Sequence, residues 1–181
     1  SGKSNTYVGN EAGFSKTGVS NVAVGADALF GGANEVKVGD GNTAVGVTAG
    51  AYVSGDNTVH IGAYAGRHAS GSYNVSVGVR AGGGGTTSAP YSTGTNNVAV
   101  GYESLKGFTS AENTTALGYK AGSAITSGNS NTTIGYQSSL SLTIGAANVT
   151  IGYAAGDAMT STSSTVLIGA NAGTAINSTD A

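Results

Sequence analysis

Three acidic residues share one position of an internal repeat in this chain, and they are its clearest candidates for acid–base chemistry. Glu11, Asp27 and Glu103 occupy that position. A glycosidase needs two carboxylates at a set separation of roughly 5–10 Å. The repeat places the three residues in different units, without adjacent partners, at a position that also accepts Arg80 and Lys120. We therefore predict no catalytic residue and no enzymatic activity.

Histidines and glycines suggest two further kinds of site. His60 and His68 lie near one repeat, and threefold symmetry would bring three copies of His60 together as a metal or anion site. A lone histidine more often has no such role. The run Gly82-Gly-Gly-Gly85 lacks the lysine and the helix start of a phosphate-binding loop, and the chain has no cysteine. We predict neither a metal nor a cofactor.

Four tyrosines form a regular series. Tyr102, Tyr119, Tyr136 and Tyr153 each follow a repeat glycine, so a stacked fold would place their rings in one column. The column suggests an aromatic platform facing a sugar or another surface ligand. The alternative, which we favour, is a structural ladder or a contact between subunits.

A repeat of 16 or 17 residues must position all of these side chains. The segment Asn131-Thr-Thr-Ile-Gly135 recurs in similar form along the whole chain, and self-similarity at a fixed period is the signature of a repeat fold. The ten repeat glycines are Gly9, Gly25, Gly46, Gly62, Gly78, Gly101, Gly118, Gly135, Gly152 and Gly169. Two intervals are longer, and we expect loops at about 30–40 and 83–96. These loops are our preferred recognition elements, because loops on a rigid scaffold commonly carry binding.

Each repeat predicts a short β-strand. The residue before the glycine is always aliphatic, the residue two positions earlier is always β-branched, and the one between them varies. We expect the two similar positions to be buried and the variable one to be free. The aliphatic set is Val8, Val24, Val45, Ile61, Val77, Val100, Leu117, Ile134, Ile151 and Ile168. We also expect a ladder of the asparagines that start the strands, namely Asn5, Asn21, Asn42, Asn74, Asn97, Asn131 and Asn148.

The repeat length predicts an all-β, parallel β-roll of about ten coils, forming a single domain over residues 1–181. Two strands and two turns account for roughly 16 residues, and coils stacked at about 4.8 Å give a rod of roughly 45–50 Å. Val36-Lys-Val-Gly39 and Leu142-Thr-Ile-Gly145 suggest a second, degenerate strand in every coil. Three residues after each repeat glycine only Ala or Ser occurs. We interpret this small column as a surface pressed against another subunit, so that the chain oligomerises along its length.

Composition excludes several classes. A net charge of −2 with seven basic residues gives no electrostatic footprint for nucleic acid. No apolar run is long enough to insert into a membrane, and no signal peptide is present. The chain begins inside a repeat, so we expect a mature product or a fragment.

Asn97-Val-Ala-Val-Gly-Tyr102 and Asn131-Thr-Thr-Ile-Gly-Tyr136 resemble the head repeats of YadA-like trimeric autotransporter adhesins and the related repeats of bacteriophage tail fibres. The resemblance covers essentially the whole chain. It implies a left-handed β-roll, a side-by-side homotrimer and an extracellular location on a bacterial cell surface or a virion. The unit here is longer than the adhesin repeat, which favours a phage fibre or another surface fibre. The sequence contains no neck, coiled coil or membrane anchor, so we expect a piece of a longer assembly or ends that are capped by partners.

Competing functions follow from the same repeats. Our reading is a non-enzymatic attachment segment that binds a cell-surface glycan or protein receptor. The alternative is a purely structural fibre that assembles end to end without a ligand. An ice-binding solenoid would need a flat threonine array, which Tyr7, His60 and Leu167 interrupt. A capsule-degrading enzyme is the remaining class.

Overall fold

The chain folds as a β-solenoid of about nine turns. The computed structural model describes residues 4–14, 18–31, 37–88 and 91–176. Over these residues there is no helix, and ten strands form one parallel sheet in sequence order. The strands are β1 Thr6–Val8, β2 Val22–Val24, β3 Thr43–Val45, β4 Val59–Ile61, β5 Val75–Val77, β6 Val98–Val100, β7 Thr115–Leu117, β8 Thr132–Ile134, β9 Val149–Ile151 and β10 Val166–Ile168. We call each strand with the segment that leads to the next strand a coil, numbered by its strand.

The register matches the sequence repeat residue for residue. Val59 of β4 pairs with Thr43 of β3 and with Val75 of β5, and the same positions pair along the whole sheet. Each strand ends at its repeat glycine, whose φ lies between 123° and 138°. At Gly46 an added Cβ would lie 2.7 Å from the backbone carbonyl of Gly62 in the next coil. The glycine is therefore required both by the turn and by the close stacking of coils.

The prediction of which strand positions are buried is wrong. The variable middle residue points into the coil, as Ala44, His60 and Thr133 show with no exposed surface. The aliphatic residues point outward, and Val45 and Leu117 are 37% and 44% exposed. Similar residue types at alternate positions show that these side chains share one face of a strand, but they do not show whether that face lies towards the core. Here the interior is narrow enough that Ala, Ser and Thr suit it.

Four large core side chains lie on the side of the coil opposite the sheet. Phe108, Ile125, Leu142 and Met159 come from successive coils, are almost fully buried and belong to one apolar cluster. They lie in the half of the repeat for which the sequence suggests a second, degenerate strand. They recur at the 17-residue spacing of the repeat, but a single large residue per coil gives no alternation within the segment that would identify a strand.

In several coils the volumes of the middle strand residue and of the residue six positions later compensate each other. Where the strand carries His60, Gly66 stands opposite, and an added Cβ there would collide with the imidazole. Where the strand carries Ala99, the opposite residue is Leu105, which is fully buried. Ala23 and Leu29 form the same pair in coil 2. In these coils the pair supplies either one large strand residue or one leucine, whereas Ala44 with Gly50 and Ala116 with Gly122 are small at both positions.

The small column does not face a partner subunit. Ala49, Ala65 and Ala121 are fully buried within their own chain. The interpretation of this column as a subunit contact is therefore wrong. The small side chains are needed because this corner of each coil packs on the interior of the same solenoid.

A second strand in every coil is also not observed. Where both partners are described, the isolated parallel bridge on the side opposite the sheet joins Ala69 with Ser92. Coils on that side are joined by separate backbone bonds, such as Thr126 N–H to Thr143 O at 2.8 Å. Val36 lies outside the described residues.

The two insertions are partly absorbed into the regular coil. Val38 is fully buried in the core, and Ser92 joins the ladder through its N–H to the His68 carbonyl at 3.0 Å. The 83–96 loop is therefore shorter than predicted, because its last residues rejoin the stack.

Candidate functional site

The outward face of the sheet is an apolar stripe. We define the strand-face stripe as the first and third residues of every strand, which are Val, Thr, Ile or Leu throughout. Its third-residue column is Val8, Val24, Val45, Ile61, Val77, Val100, Leu117, Ile134, Ile151 and Ile168. None of its residues is charged, and none is fully buried. A continuous exposed apolar surface of this kind is uncommon on a monomer and is typical of an interaction surface.

The tyrosine column is an ordered stack. Neighbouring rings among Tyr102, Tyr119, Tyr136 and Tyr153 have centroids 5.0–5.4 Å apart and planes within 5–12° of parallel. Both faces of each inner ring are therefore covered by the neighbouring rings. A sugar ring thus has no free aromatic face to pack on at the two inner tyrosines, Tyr119 and Tyr136.

The asparagine column braces the inside of the solenoid. The Asn42 amide nitrogen donates to the Gly55 carbonyl at 2.8 Å, and its Oδ1 accepts from the backbone N–H of Thr58 at 2.8 Å. Asn21 is placed in the same way, with Oδ1 accepting from Asn42 N–H at 2.8 Å. The amide thus bonds chiefly to backbone in the next coil. A direct bond between two side-chain amides is present at Asn148 Nδ2 and Asn131 Oδ1, 3.1 Å apart.

His60 lies inside the solenoid and cannot meet symmetry-related copies. Its ring is fully buried, and neither ring nitrogen has a hydrogen-bond partner in the described residues. Burial lowers the pKa of His60 from 6.5 to about 4, because the charged form would lose its hydration. The hypothesis of a three-histidine site is therefore wrong. Groups of three or more His, Cys, Asp or Glu suited to a metal are also absent from the described part of the chain.

Glu103 is the centre of an ion cluster. Its carboxylate accepts from Lys106 Nζ at 3.1 Å and from Arg80 at 3.3 Å, and Lys120 Nζ lies 3.9 Å away. Burial raises the pKa of Glu103, but the hydrogen bond and charge of Lys106, with Arg80 and Lys120, more than offset it and hold the pKa below its ordinary value. The carboxylate is therefore an ion-pair partner, without the raised pKa of a general acid.

The column that holds Glu103 is not uniformly exposed. Glu103 itself is buried, whereas Glu11 at the same repeat position is exposed. Glu11 and Asp27 occupy this position in neighbouring coils, joined by the Asp27 N–H to the Asn10 carbonyl at 2.9 Å. The expectation that the three acids lack adjacent partners is therefore wrong for this pair. Glu103, in coil 6, has basic neighbours instead.

Four basic side chains lie close together, three of them around Glu103. We define the cationic cluster as Arg67, Arg80, Lys106 and Lys120, four of the seven Lys and Arg residues of the chain. Two adjoining depressions of about 400 and 370 Å³ lie beside it, bordered by the glycine run of the insertion. The sequence suggests no basic patch here, because these residues lie up to 53 positions apart, from 67 to 120, and only the coil stacking brings them together.

The chain matches no protein-family model, no curated protein and no solved structure. Over the described residues, no helix is both long and apolar enough to cross a bilayer.

Proposed function

We propose that this chain is a non-enzymatic segment of an extracellular attachment fibre, assembled side by side as a homotrimer. The strand-face stripe carries the proposal. Ten coils each present two outward apolar or threonine side chains. Leaving them in water forfeits roughly 25 cal/mol for each Å² of apolar area that assembly would bury.

The spacing of the stripe favours copies of the same chain as the occupants. The stripe repeats once per coil along the whole sheet. A partner that covers it continuously must present complementary groups at the same spacing of about 4.8 Å. Another copy of this solenoid has the same spacing, because its coils stack in the same way. The stripe carries no charge, so copies that meet there do not repel each other.

Three copies, and an attachment role, follow from the resemblance to trimeric adhesin heads and phage-fibre repeats. The units Asn42-Thr-Ala-Val-Gly46 and Asn97-Val-Ala-Val-Gly101 carry that resemblance. In this proposal the fibre displays its corners and insertions to a receptor on a cell surface, and the stripe lies inside the assembly. The location is a bacterial cell surface or a virion.

Light scattering on the purified chain tests the assembly. We expect a mass of three times 17.4 kDa. A variant with Val45→Lys and Leu117→Lys should give monomers, because it places charges within the stripe. Ile144→Lys is the matched control, since Ile144 is 59% exposed but lies on the opposite side of the coil. A folded wild-type monomer would refute the trimer.

The alternative function, a structural filament without a ligand, makes a different prediction. It expects end-to-end polymers, visible by electron microscopy at high concentration, and no binding on glycan arrays or to bacterial cells. Within the described residues β1 and β10 each pair on one side only, and such open edges are where strands add. Discrete trimers that bind a surface glycan would favour the attachment fibre.

A further inference from the structure

Arg67 occupies an unusual place in the cationic cluster. Its guanidinium carbon lies 5.8 Å from the ring centroids of both Tyr52 and Tyr64, so two aromatic faces hold it. Its Nε is buried and has no hydrogen-bond partner, and no described carboxylate pairs with it. A buried guanidinium N–H without an acceptor is costly, and no described residue compensates for it.

Arg67 lines the smaller depression together with two more cations. The depression of about 370 Å³ is bordered by Arg67, Arg80 and Lys106, and no carboxylate lines it. Its size lies within the usual range for ligand sites. Its floor includes the backbone of Gly83 and Gly84, and neither backbone N–H finds an acceptor among the described residues. The depression therefore offers three cationic side chains and no carboxylate.

The larger depression, of about 400 Å³, extends the series of cations by one coil. It shares Lys106 and Gly84 with the smaller depression and adds Lys120. Glu103 lies at its border and neutralises one of the charges. The four residues of the cationic cluster, with Glu103 beside them, are distributed over coils 4 to 7. A ligand that contacts all four must carry more than one negative group.

We propose that these two depressions form one binding site for an acidic polysaccharide, whose carboxylate or sulfate groups pair with Arg67, Arg80, Lys106 and Lys120. Bidentate pairing with oxyanions is the preferred use of arginine. Sugar hydroxyls are suited to the glycine backbone N–H groups and to the Thr87 hydroxyl, which borders both depressions. Single-stranded nucleic acid fits less well, because it needs free aromatic faces, and the face of Tyr64 is covered by Arg67.

The inference deepens the proposed attachment role by naming the ligand class, but it does not depend on assembly. A trimer that fails to bind would remove the polysaccharide site and leave the assembly intact. A monomer that binds would remove the trimer and leave the polysaccharide site intact. Mass and binding are therefore measured on the same sample.

The test is calorimetric titration of the full chain with defined polymers at low salt. Heparin carries sulfates and carboxylates, polygalacturonate carries carboxylates alone, dextran is neutral, and a single-stranded oligonucleotide is the competing polyanion. We expect binding to one or both acidic polysaccharides, weakening as salt screens the charges, and none to dextran. The stronger of heparin and polygalacturonate identifies sulfate or carboxylate as the preferred group.

Variants localise the binding. Arg67→Gln should weaken binding about tenfold, as expected for one charge-assisted hydrogen bond. Lys37→Gln, which removes an exposed charge outside the cluster, should leave binding unchanged. Glu103→Gln should tighten binding, because it removes the competing carboxylate and frees Lys106 and Arg80. Circular dichroism melts establish that each variant is folded.

Three results from the polymers and the Arg67 and Lys37 variants would overturn the proposal. They are no binding to either acidic polysaccharide, equal loss in the Arg67 and Lys37 variants, and equal affinity for the oligonucleotide. Weaker binding by Glu103→Gln would also contradict it, since the carboxylate would then be a ligand contact rather than a competitor.

Discussion

Acidification should destabilise this solenoid through the buried ring of His60. The imidazole packs against Gly66, and both of its nitrogens lack partners. Burial lowers its pKa from 6.5 to about 4. The folded state thus favours the neutral ring, whereas the unfolded chain takes up a proton at its ordinary pKa.

The sign and size of the effect follow from proton linkage. Between pH 4 and 6.5 the unfolded state binds more protons, so the free energy of unfolding falls as the pH falls. Above pH 6.5 His60 is neutral in both states and the full stability is present. From pH 7.5 to pH 5.0 the expected loss is about 2 kcal/mol, and it approaches about 3 kcal/mol near pH 4.

The fold supplies a matched control without the histidine. The variant His60→Ala/Gly66→Leu reproduces the pair of Ala99 with Leu105 in coil 6, where leucine already adopts a positive φ of 45°. Gly66→Leu alone should be strongly destabilised by collision with the imidazole, and His60→Ala alone should leave a cavity. The double variant should be more stable than the sum of the single changes predicts, by about 1–3 kcal/mol.

Urea unfolding followed by circular dichroism at pH 7.5 and 5.0 measures the effect, at one protein concentration because assembly adds to stability. His68 and Glu103 also have a lowered pKa and destabilise the fold on acidification, but both remain in the double variant. The difference between wild type and double variant therefore isolates His60. Equal pH dependence in the two proteins would refute the reasoning.

Three further variants probe the stack. Asn42→Ala should cost about 3 kcal/mol by leaving backbone groups in the next coil unpaired, whereas exposed Asn10→Ala should cost under about 0.5 kcal/mol in urea unfolding. Gly46→Ala should cost more than about 3 kcal/mol, because the methyl group meets the Gly62 carbonyl, and little folded protein should be recovered. Phe108→Ala should cost about 3–5 kcal/mol as a core cavity, and a change in thermal midpoint of only a degree or two would contradict its placement in the core.

The sequence predicts the stacking of the coils well, because the stacking depends only on the alignment of the repeat glycines. Once Gly46 and Gly62 are aligned, parallel in-register pairing of Val45 with Ile61 follows, and so do the turns after each strand. The ten strands and their order needed no further information. What could not be obtained in this way is the side of each strand that faces the core.

The inside of the solenoid is hidden from the sequence because its packing is shared between distant positions. His60 with Gly66 and Ala99 with Leu105 fill similar space with opposite distributions of volume. Each column alone therefore looks variable, and variability is usually a sign of exposure. Only the pairing of positions six residues apart shows that their volumes compensate and that both residues belong to the core.

The candidate surfaces divide in the same way. The strand-face stripe is uniform because every coil presents it to the same surroundings, and a uniform apolar column in a solenoid indicates either a core or an interface. The cationic cluster breaks the repeat: Arg67 and Lys106 lie five residues after their strand glycines, where Phe14 and Phe30 occupy coils 1 and 2. A departure of this kind adds nothing to the stacking of coils, and it places charge beside the inserted glycine run. The uniform part of the repeat is therefore the place to test assembly, and the departures from it are the place to test recognition.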